Sequence, residues 1–340
     1  MKAIVFHGFG DPSVLKYESV EVPMLSSHEV LVRVRACALN HLDIWVREGL
    51  GDVSKPHILG SDVSGVIEAV GSEMKDLEKG QSVLISPGIS CGYCEACLTG
   101  RDHLCPRYTI LGKGIWGGYA EFVKVPRQNI LPYPQNLSFE EAACMPLTYL
   151  TAWQMLVQKA KIKPGDWVLV LAAGSGIGVA AIQIANLFGA RVIATASNKT
   201  KLQKAQRLGA EFAINYLEKD FSKEVKDITK GRGVDLVVEH TGAQTWEKSI
   251  LSAKWGGTIV TCGATSGSEG KTNLAHVYFR QIQILGSTMG SKGTLFEILR
   301  HIEAGKLKPV VDKVFPLKEA AQAHQKMMLR EQFGKLVLVP

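Results

Sequence analysis

No stretch of this sequence is apolar for long enough to cross a bilayer, which takes about 20 such residues in a row. The opening Met1-Lys2-Ala3-Ile4-Val5 reads as a short strand without a secretory apolar core or cleavage site, which predicts a cytoplasmic protein with no membrane partner. A dense basic run is missing as well. Lys and Arg number 39 against 32 Asp and Glu, a formal charge of +7, but they are scattered and leave no nucleic-acid footprint. The excess suits an anionic cofactor or substrate, or simply a solvated surface. Internal repeats and low-complexity tracts are absent. Charged residues make up 21% and hydrophobic ones 46%, the balance of an ordinary globular chain, which excludes long disorder. Cysteine is sparse, seven in the chain, and in a reducing compartment these are not expected to pair.

What is present divides in two, as expected for 340 residues, more than one compact core accommodates. The first third reads as short strands between turns. Along 29–36, Val30, Val32, Val34 and Ala36 fall on one face, as in a half-buried strand. The segments 63–70 and 81–86 are similar, with Gly71, Gly80 and Pro87 as breakers, and 117–126 reads as a further strand with a glycine entry. Near residue 140 the texture changes to strands alternating with helices: 167–172, 177–188, 191–196 and 199–208, with more strands at 234–239, 258–262 and 282–285. Such alternation implies an α/β unit with a doubly wound parallel sheet. The last fifty residues return to a mixed pattern that ends in a strand at 335–339. A nucleotide-binding domain at 141–287 is thus expected within a β-rich domain formed by 1–140 and 288–340.

After the apolar strand at 167–172 comes Ala173-Gly174-Ser175-Gly176-Ile177-Gly178, opening a helix. Small residues there let backbone amides approach a pyrophosphate at the positive end of the helix. Any tight strand–helix turn can use glycine, but a second strand about 20 residues on favours a dinucleotide site. That second strand runs out through Thr195-Ala196-Ser197-Asn198-Lys199-Thr200-Lys201, without a carboxylate for a ribose 2′-hydroxyl. Ser197 and Lys201 suit a 2′-phosphate, which a carboxylate would repel. Lys199 and Lys201 are otherwise ordinary solvated positions, although cations at a helix start are slightly unfavourable. NADP(H) is expected in preference to NAD(H).

Cys91, Cys94, Cys97 and Cys105 form a C-x2-C-x2-C-x7-C run in a lobe at 88–108. Four thiolates on one small loop match a closed tetrahedral zinc site with no open position for chemistry. A labile disulfide pair and an iron–sulfur cluster are the alternatives. Cys37, Cys144 and Cys262 sit in apolar strings and are expected to be small buried hydrophobes.

These motifs, together with Gly117-Gly118-Tyr119-Ala120-Glu121-Phe122, Leu150-Thr151-Ala152-Trp153 and Gly334-Lys335-Leu336-Val337, make the chain resemble the zinc-type medium-chain dehydrogenase/reductase superfamily over essentially its whole length. The resemblance implies a GroES-like β-rich catalytic domain and a Rossmann domain with the active site in the cleft between them. It also implies one structural zinc and a homodimer or homotetramer joined through the Rossmann sheet edge near 281–287. The three catalytic-metal ligands of metal-dependent members register on Asn40, Ser61 and Leu147, and the proton-relay positions on Leu42 and Trp45. None of the three is a thiolate or imidazole, so no catalytic zinc is implied.

Without a metal, alcohol–ketone exchange lacks its usual charge stabiliser. A quinone or an enone relaxes that demand, because the incoming charge spreads onto a conjugated oxygen. The pattern Asn40-x-x-Asp43 resembles that of quinone oxidoreductases. By this resemblance Asn40 orients the substrate oxygen, Thr151 places the nicotinamide, and Ser61 and Trp45 line the pocket. Asn40 reads equally as a turn residue satisfying backbone groups. Asp43 is expected to hold the domain together through a buried hydrogen bond. Tyr216 is expected on the cofactor or, alternatively, as a sheet-edge aromatic. The leading reading is an NADPH-dependent reductase of activated alkenes or quinones acting on a small molecule. An alcohol dehydrogenase or aldehyde reductase, and a non-catalytic NADPH-binding sensor, stay open.

Overall fold

At the centre of the first unit of the computed structural model, which describes every residue from Met1 to Pro340, lies the strand Glu29–Ala38. Val30, Val32, Val34 and Ala36 are buried, while Arg33 and Arg35 point outward. The strand pairs antiparallel with Asp62–Val70 on one side, and with Phe122–Pro126 and then Lys335–Val339 on the other. The sheet continues through Ser82–Ile85 to Ile130–Pro132, and beyond Lys335–Val339 to Val311–Pro316. A smaller sheet of Lys16–Ser19, Lys2–Phe6 and His57–Ile58 closes over the same apolar core.

The strand read at 117–126 begins only at Phe122. Before it, the backbone N–H groups of Gly117, Gly118 and Tyr119 donate to the carbonyls of Ile58, Gly60 and Leu59. A Cβ on Gly117 would lie 2.3 Å from the carbonyl oxygen of Gly60, so the glycine permits this close approach.

The second unit holds six strands in the order Phe212–Asn215, Arg191–Ala196, Trp167–Val170, Val234–Glu239, Ala253–Thr261, Gln283–Gly286, all parallel. Numbered along the chain this is 3-2-1-4-5-6, the doubly wound order that reverses beside its first strand. Apolar residues in the four inner strands, among them Leu169, Ile193, Val237 and Ile259, form a buried core.

The units comprise Met1–Leu150 with Gly290–Pro340, and Thr151–Met289. The chain therefore stays with the first unit ten residues beyond position 140. The cause is a set of bonds from the helices Phe139–Ala143 and Pro146–Trp153 back into that unit. Ser64 Oγ donates to Phe139 O at 2.6 Å, Leu147 N to Asp62 Oδ1 at 2.8 Å, and Tyr149 OH to Lys308 O at 2.9 Å. No helix is long and apolar enough to cross a membrane.

Candidate active site

Three strand ends gather a polar cluster inside the first unit. Ala38 pairs with Asp62, and the N–H of Leu39 donates to the carbonyl of Leu336 at 2.9 Å. Asn40, Asp62 and Lys335 therefore meet although they lie far apart in the chain. Lys335 Nζ donates to Asn40 Oδ1 at 2.5 Å and to Asp62 Oδ2 at 3.0 Å, and Asn40 Nδ2 donates to Asp62 Oδ2 at 2.9 Å. Asp62 and Lys335 are 0% and 4% exposed, and a buried ammonium of this kind persists only when paired.

Asn40 stands at the N-cap of the helix His41–Arg47, in a capping box with Asp43. Asp43 Oδ2 accepts from Asn40 N at 2.7 Å and from Tyr119 OH at 3.0 Å, while Oδ1 accepts from Gly60 N at 3.2 Å. Burial pushes the Asp43 carboxyl up to about 6, against the pull of the Asn40 N–H and the Lys335 charge. Tyr119 OH lies 3.2 Å from His324 Nε2, and His324 Nδ1 lies 3.0 Å from an Arg47 guanidinium nitrogen. The guanidinium only donates, so the neutral imidazole carries its proton on Nε2 and donates it toward Tyr119. Trp45 is half-buried, its ring edge-on to that of His41 at 5.1 Å. Ser61, fully buried beside Asp62, has a hydroxyl without a hydrogen-bond partner.

This cluster does not suit a catalytic metal. Asn40, Ser61 and Leu147 offer an amide, a hydroxyl and an alkyl chain, none of them a preferred zinc ligand. The Lys335 ammonium already serves the Asn40 and Asp62 oxygens, so a dication there would meet a like charge.

The cysteine lobe fits a metal well. Cys91 follows the strand Gly88–Ile89, Cys94 precedes the short helix Glu95–Leu98 that contains Cys97, and Cys105 ends the turn Asp102–Leu104. The four sulfurs lie within 4.8 Å of one another, with Cys94 to Cys97 at 3.5 Å and Cys91 to Cys97 at 3.9 Å. Bonds of about 2.3 Å to a tetrahedral zinc would set them roughly 3.8 Å apart, and a disulfide would need about 2.05 Å. A bond from the backbone N–H of Tyr93 holds the Cys91 thiol down to about 6, whereas the neighbouring sulfurs, against a bond from the Cys97 N–H, push Cys94 up to about 11. Asp102 anchors the lobe by accepting from Lys292 N at 3.0 Å, the residue that opens the helix Lys292–Glu303. Of the other cysteines, Cys37 and Cys144 are buried, whereas Cys262, at the exit of its strand, is only partly so.

In the second unit the glycine turn fits a dinucleotide. The helix Gly176–Leu187 starts at Ser175, whose hydroxyl accepts from Gly178 N at 2.9 Å. A Cβ on Gly178 would fall 2.5 Å from Ala172 O and 2.7 Å from Ala173 Cα, so only glycine lets helix and strand come this close. Gly174 is buried, and Ser175, Gly176 and Ile177 are partly exposed at the helix start. Ser197 and Lys201 flank Asn198, which accepts from Lys201 N at 2.9 Å and caps the helix Lys199–Arg207. Tyr216 follows the adjacent strand Phe212–Asn215, its N–H donating to Ala196 O at 3.2 Å, and its side chain is exposed. Thr151, Thr241 and Ser287 carry buried hydroxyls without a hydrogen-bond partner in the chain.

Sequence reasoning singles out Asn40 and Asp43 but passes over Lys335, Tyr119, His324 and Arg47. The legible signal for Lys335 is a lone cation heading an apolar strand whose residues are buried on both faces. Nothing local marks His324, whose partners lie hundreds of residues away.

Two domain families match the chain: the alcohol dehydrogenase GroES-like domain over residues 26–135 and the zinc-binding dehydrogenase domain over residues 176–304. A crystal structure of an NAD-dependent alcohol dehydrogenase superposes with a TM-score of 0.97 at 54% identity, covering 100% of both chains. The crotonyl-CoA carboxylase/reductase of Cereibacter sphaeroides is 34% identical over 94% of this chain and 82% of its own length. Human quinone oxidoreductase is 29% identical over 100% of this chain and 98% of its own.

Proposed function

The chain belongs to the zinc-type medium-chain dehydrogenase/reductase superfamily of NAD(P)-linked oxidoreductases, and we propose that within it the protein reduces a quinone or an activated alkene with NADPH, without a catalytic metal. The observation that carries this reading is the Lys335–Asn40–Asp62 set, in which Asn40, at the position read as the first metal ligand of metal-dependent members, is hydrogen-bonded to an ammonium and a carboxylate. Relatives named as a quinone oxidoreductase and a crotonyl-CoA carboxylase/reductase support it.

NADPH, when bound, supplies the hydride. The chain's own residues then have to support negative charge arriving on the acceptor oxygen, a task for hydrogen-bond donors when conjugation spreads the charge. Asn40 donates to that oxygen through Nδ2, and the unpartnered Ser61 hydroxyl is a second donor. Asp43 keeps the Asn40 backbone in place, and Trp45 lines the pocket. Thr151 holds the nicotinamide with its unsatisfied hydroxyl. Backbone amides at Gly174, Ser175, Gly176, Ile177 and Gly178 receive the pyrophosphate. Ser197 and Lys201 take the 2′-phosphate, with Tyr216 packed on the cofactor. Cys91, Cys94, Cys97 and Cys105 bind one structural zinc, since their sulfurs are close enough together to share a single ion. The protein works in the cytoplasm as a homodimer or homotetramer.

NAD-linked alcohol oxidation is the second reading, favoured by the 54% identical alcohol dehydrogenase. The two separate in one assay of the zinc-loaded enzyme: NADPH or NADH against quinones, enones and aldehydes, and NADP+ or NAD+ against alcohols. NADPH oxidation by quinones or enones is expected. Turnover confined to alcohols and aldehydes hands the assignment to the second reading.

A further inference from the structure

We propose that Lys335 is a positioning residue that locks the Asn40 amide, so that Asn40 can offer the substrate only an N–H and never its oxygen. The inference rests on the reading of Asn40 as the donor to the acceptor oxygen.

An asparagine amide has nearly the same shape after a half-turn, so its neighbours decide which end faces where. Oδ1 lies 2.5 Å from Lys335 Nζ, and an ammonium has no lone pair with which to accept. Nδ2 lies 2.9 Å from Asp62 Oδ2, on a carboxylate that also takes donors from Lys335 and Leu147. Both contacts demand the same orientation. A flip would turn the amide N–H groups on the ammonium and the amide oxygen on the carboxylate, replacing two charge-assisted hydrogen bonds with two repulsions. One hydrogen of Nδ2 is used by Asp62, and the other has no partner in the chain. That second hydrogen is the donor left for a ligand.

The lock matters because an amide oxygen facing a developing oxyanion would repel the charge that the site has to stabilise. Free rotation would leave Asn40 in the wrong orientation for part of the time. The side chain is 6% exposed, so bulk water cannot take over the orienting role. Lys335 owes its place to the backbone, through the pairing of its strand with Cys37 and Ala38.

The test uses the zinc-loaded enzyme, NADPH and 9,10-phenanthrenequinone, with thermal midpoints measured for every variant. Lys335→Met alone strands the Asp62 charge, so the decisive variant is Lys335→Met/Asp62→Asn, which removes both charges together. Its kcat is expected to fall about 100-fold, the effect of losing one oxyanion donor, with KM for NADPH unchanged. Lys335→Arg keeps a donor-only cation and is expected to recover much of that loss. As a readout apart from turnover, the affinity of the enzyme–NADP+ complex for 4-nitrophenolate should drop about tenfold or more in the double variant, with 4-nitroanisole unaffected. A double variant with wild-type kcat and wild-type phenolate affinity overturns the lock, as does equal weakening of both probes. If Asn40→Leu also keeps full kcat, the reading of Asn40 as substrate donor falls with it. If no quinone or enone is reduced at all, the proposed function fails while the phenolate titration still decides the lock.

Discussion

Arg47 donates to Nδ1 of His324 at 3.0 Å, joining two wholly buried side chains 277 residues apart. The bond uses the lone pair that a second proton would need. Burial first, and then the Arg47 charge, hold His324 down to about 3, whereas an imidazole in the unfolded chain titrates near 6.5. Its contribution to stability is therefore complete above 6.5 and is lost as the pH falls toward 3. Asp43, raised to about 6, acts in the opposite sense: its contribution is complete below 3.8 and is lost as the pH rises through about 6. Comparison with a variant isolates the histidine. Between pH 7.5 and pH 5 the wild-type protein should lose about 2 kcal/mol relative to His324→Gln, read by urea unfolding at both values. Parallel pH profiles for the two proteins would show that the imidazole is protonated in the fold.

The cofactor assignment predicts an asymmetric loss. In Ser197→Ala/Lys201→Ala the Kd for NADPH should rise about tenfold to 100-fold, the cost of one or two charge-assisted bonds to a phosphate. NADH affinity should move by less than about threefold, because NADH carries no 2′-phosphate. Fluorescence titration of both nucleotides measures this. Equal weakening of the two would remove the phosphate site and return the end of the strand Arg191–Ala196 to an NAD-type reading.

Much of this architecture is legible in the chain because it depends on local pattern. Alternation placed Glu29–Ala38, the strand–helix rhythm placed the parallel sheet, and the spacing of Cys91, Cys94, Cys97 and Cys105 marked the metal lobe. The limits of 117–126 were not legible, because Gly117 and Gly118 bond sideways to the loop at Leu59 and Gly60 and not along a strand. At Asn40 the sequence leaves a capping role and a substrate role equally open. The structure joins its side chain to a lysine 295 residues on. Such pairings depend on which strands become neighbours, and no window of sequence contains both partners.

Metal content tests the chemistry from another direction. The protein purified in zinc-supplemented medium should hold about one zinc per chain, since only the four-cysteine lobe supplies a complete ligand set. Cys97→Ser should lose that ion and lower the thermal midpoint, because the binding energy of a structural zinc is also folding energy. Mass spectrometry under native conditions and elemental analysis give the count. A second ion of full occupancy that survives Cys97→Ser would place a metal elsewhere and sink the metal-free mechanism.

Self-association is predicted at the last strand of the second unit's sheet. Gln283–Gly286 pairs with Ala253–Thr261 on one side and with nothing on the other, and Ile284 is 39% exposed on it. An open, uncharged edge of this kind is a template for a second strand, and natural monomers blunt such edges with lysine or proline. Trp255 and Phe279, 60% and 65% exposed and packed edge to face at 5.2 Å, add apolar surface in the same unit. A second copy pairing antiparallel through the same four residues would satisfy both edges under two-fold symmetry. Ile284→Lys should then convert the assembly to a species near 37.0 kDa in light scattering, with the circular dichroism of the fold retained. An unchanged molar mass would mean that the edge is not the interface.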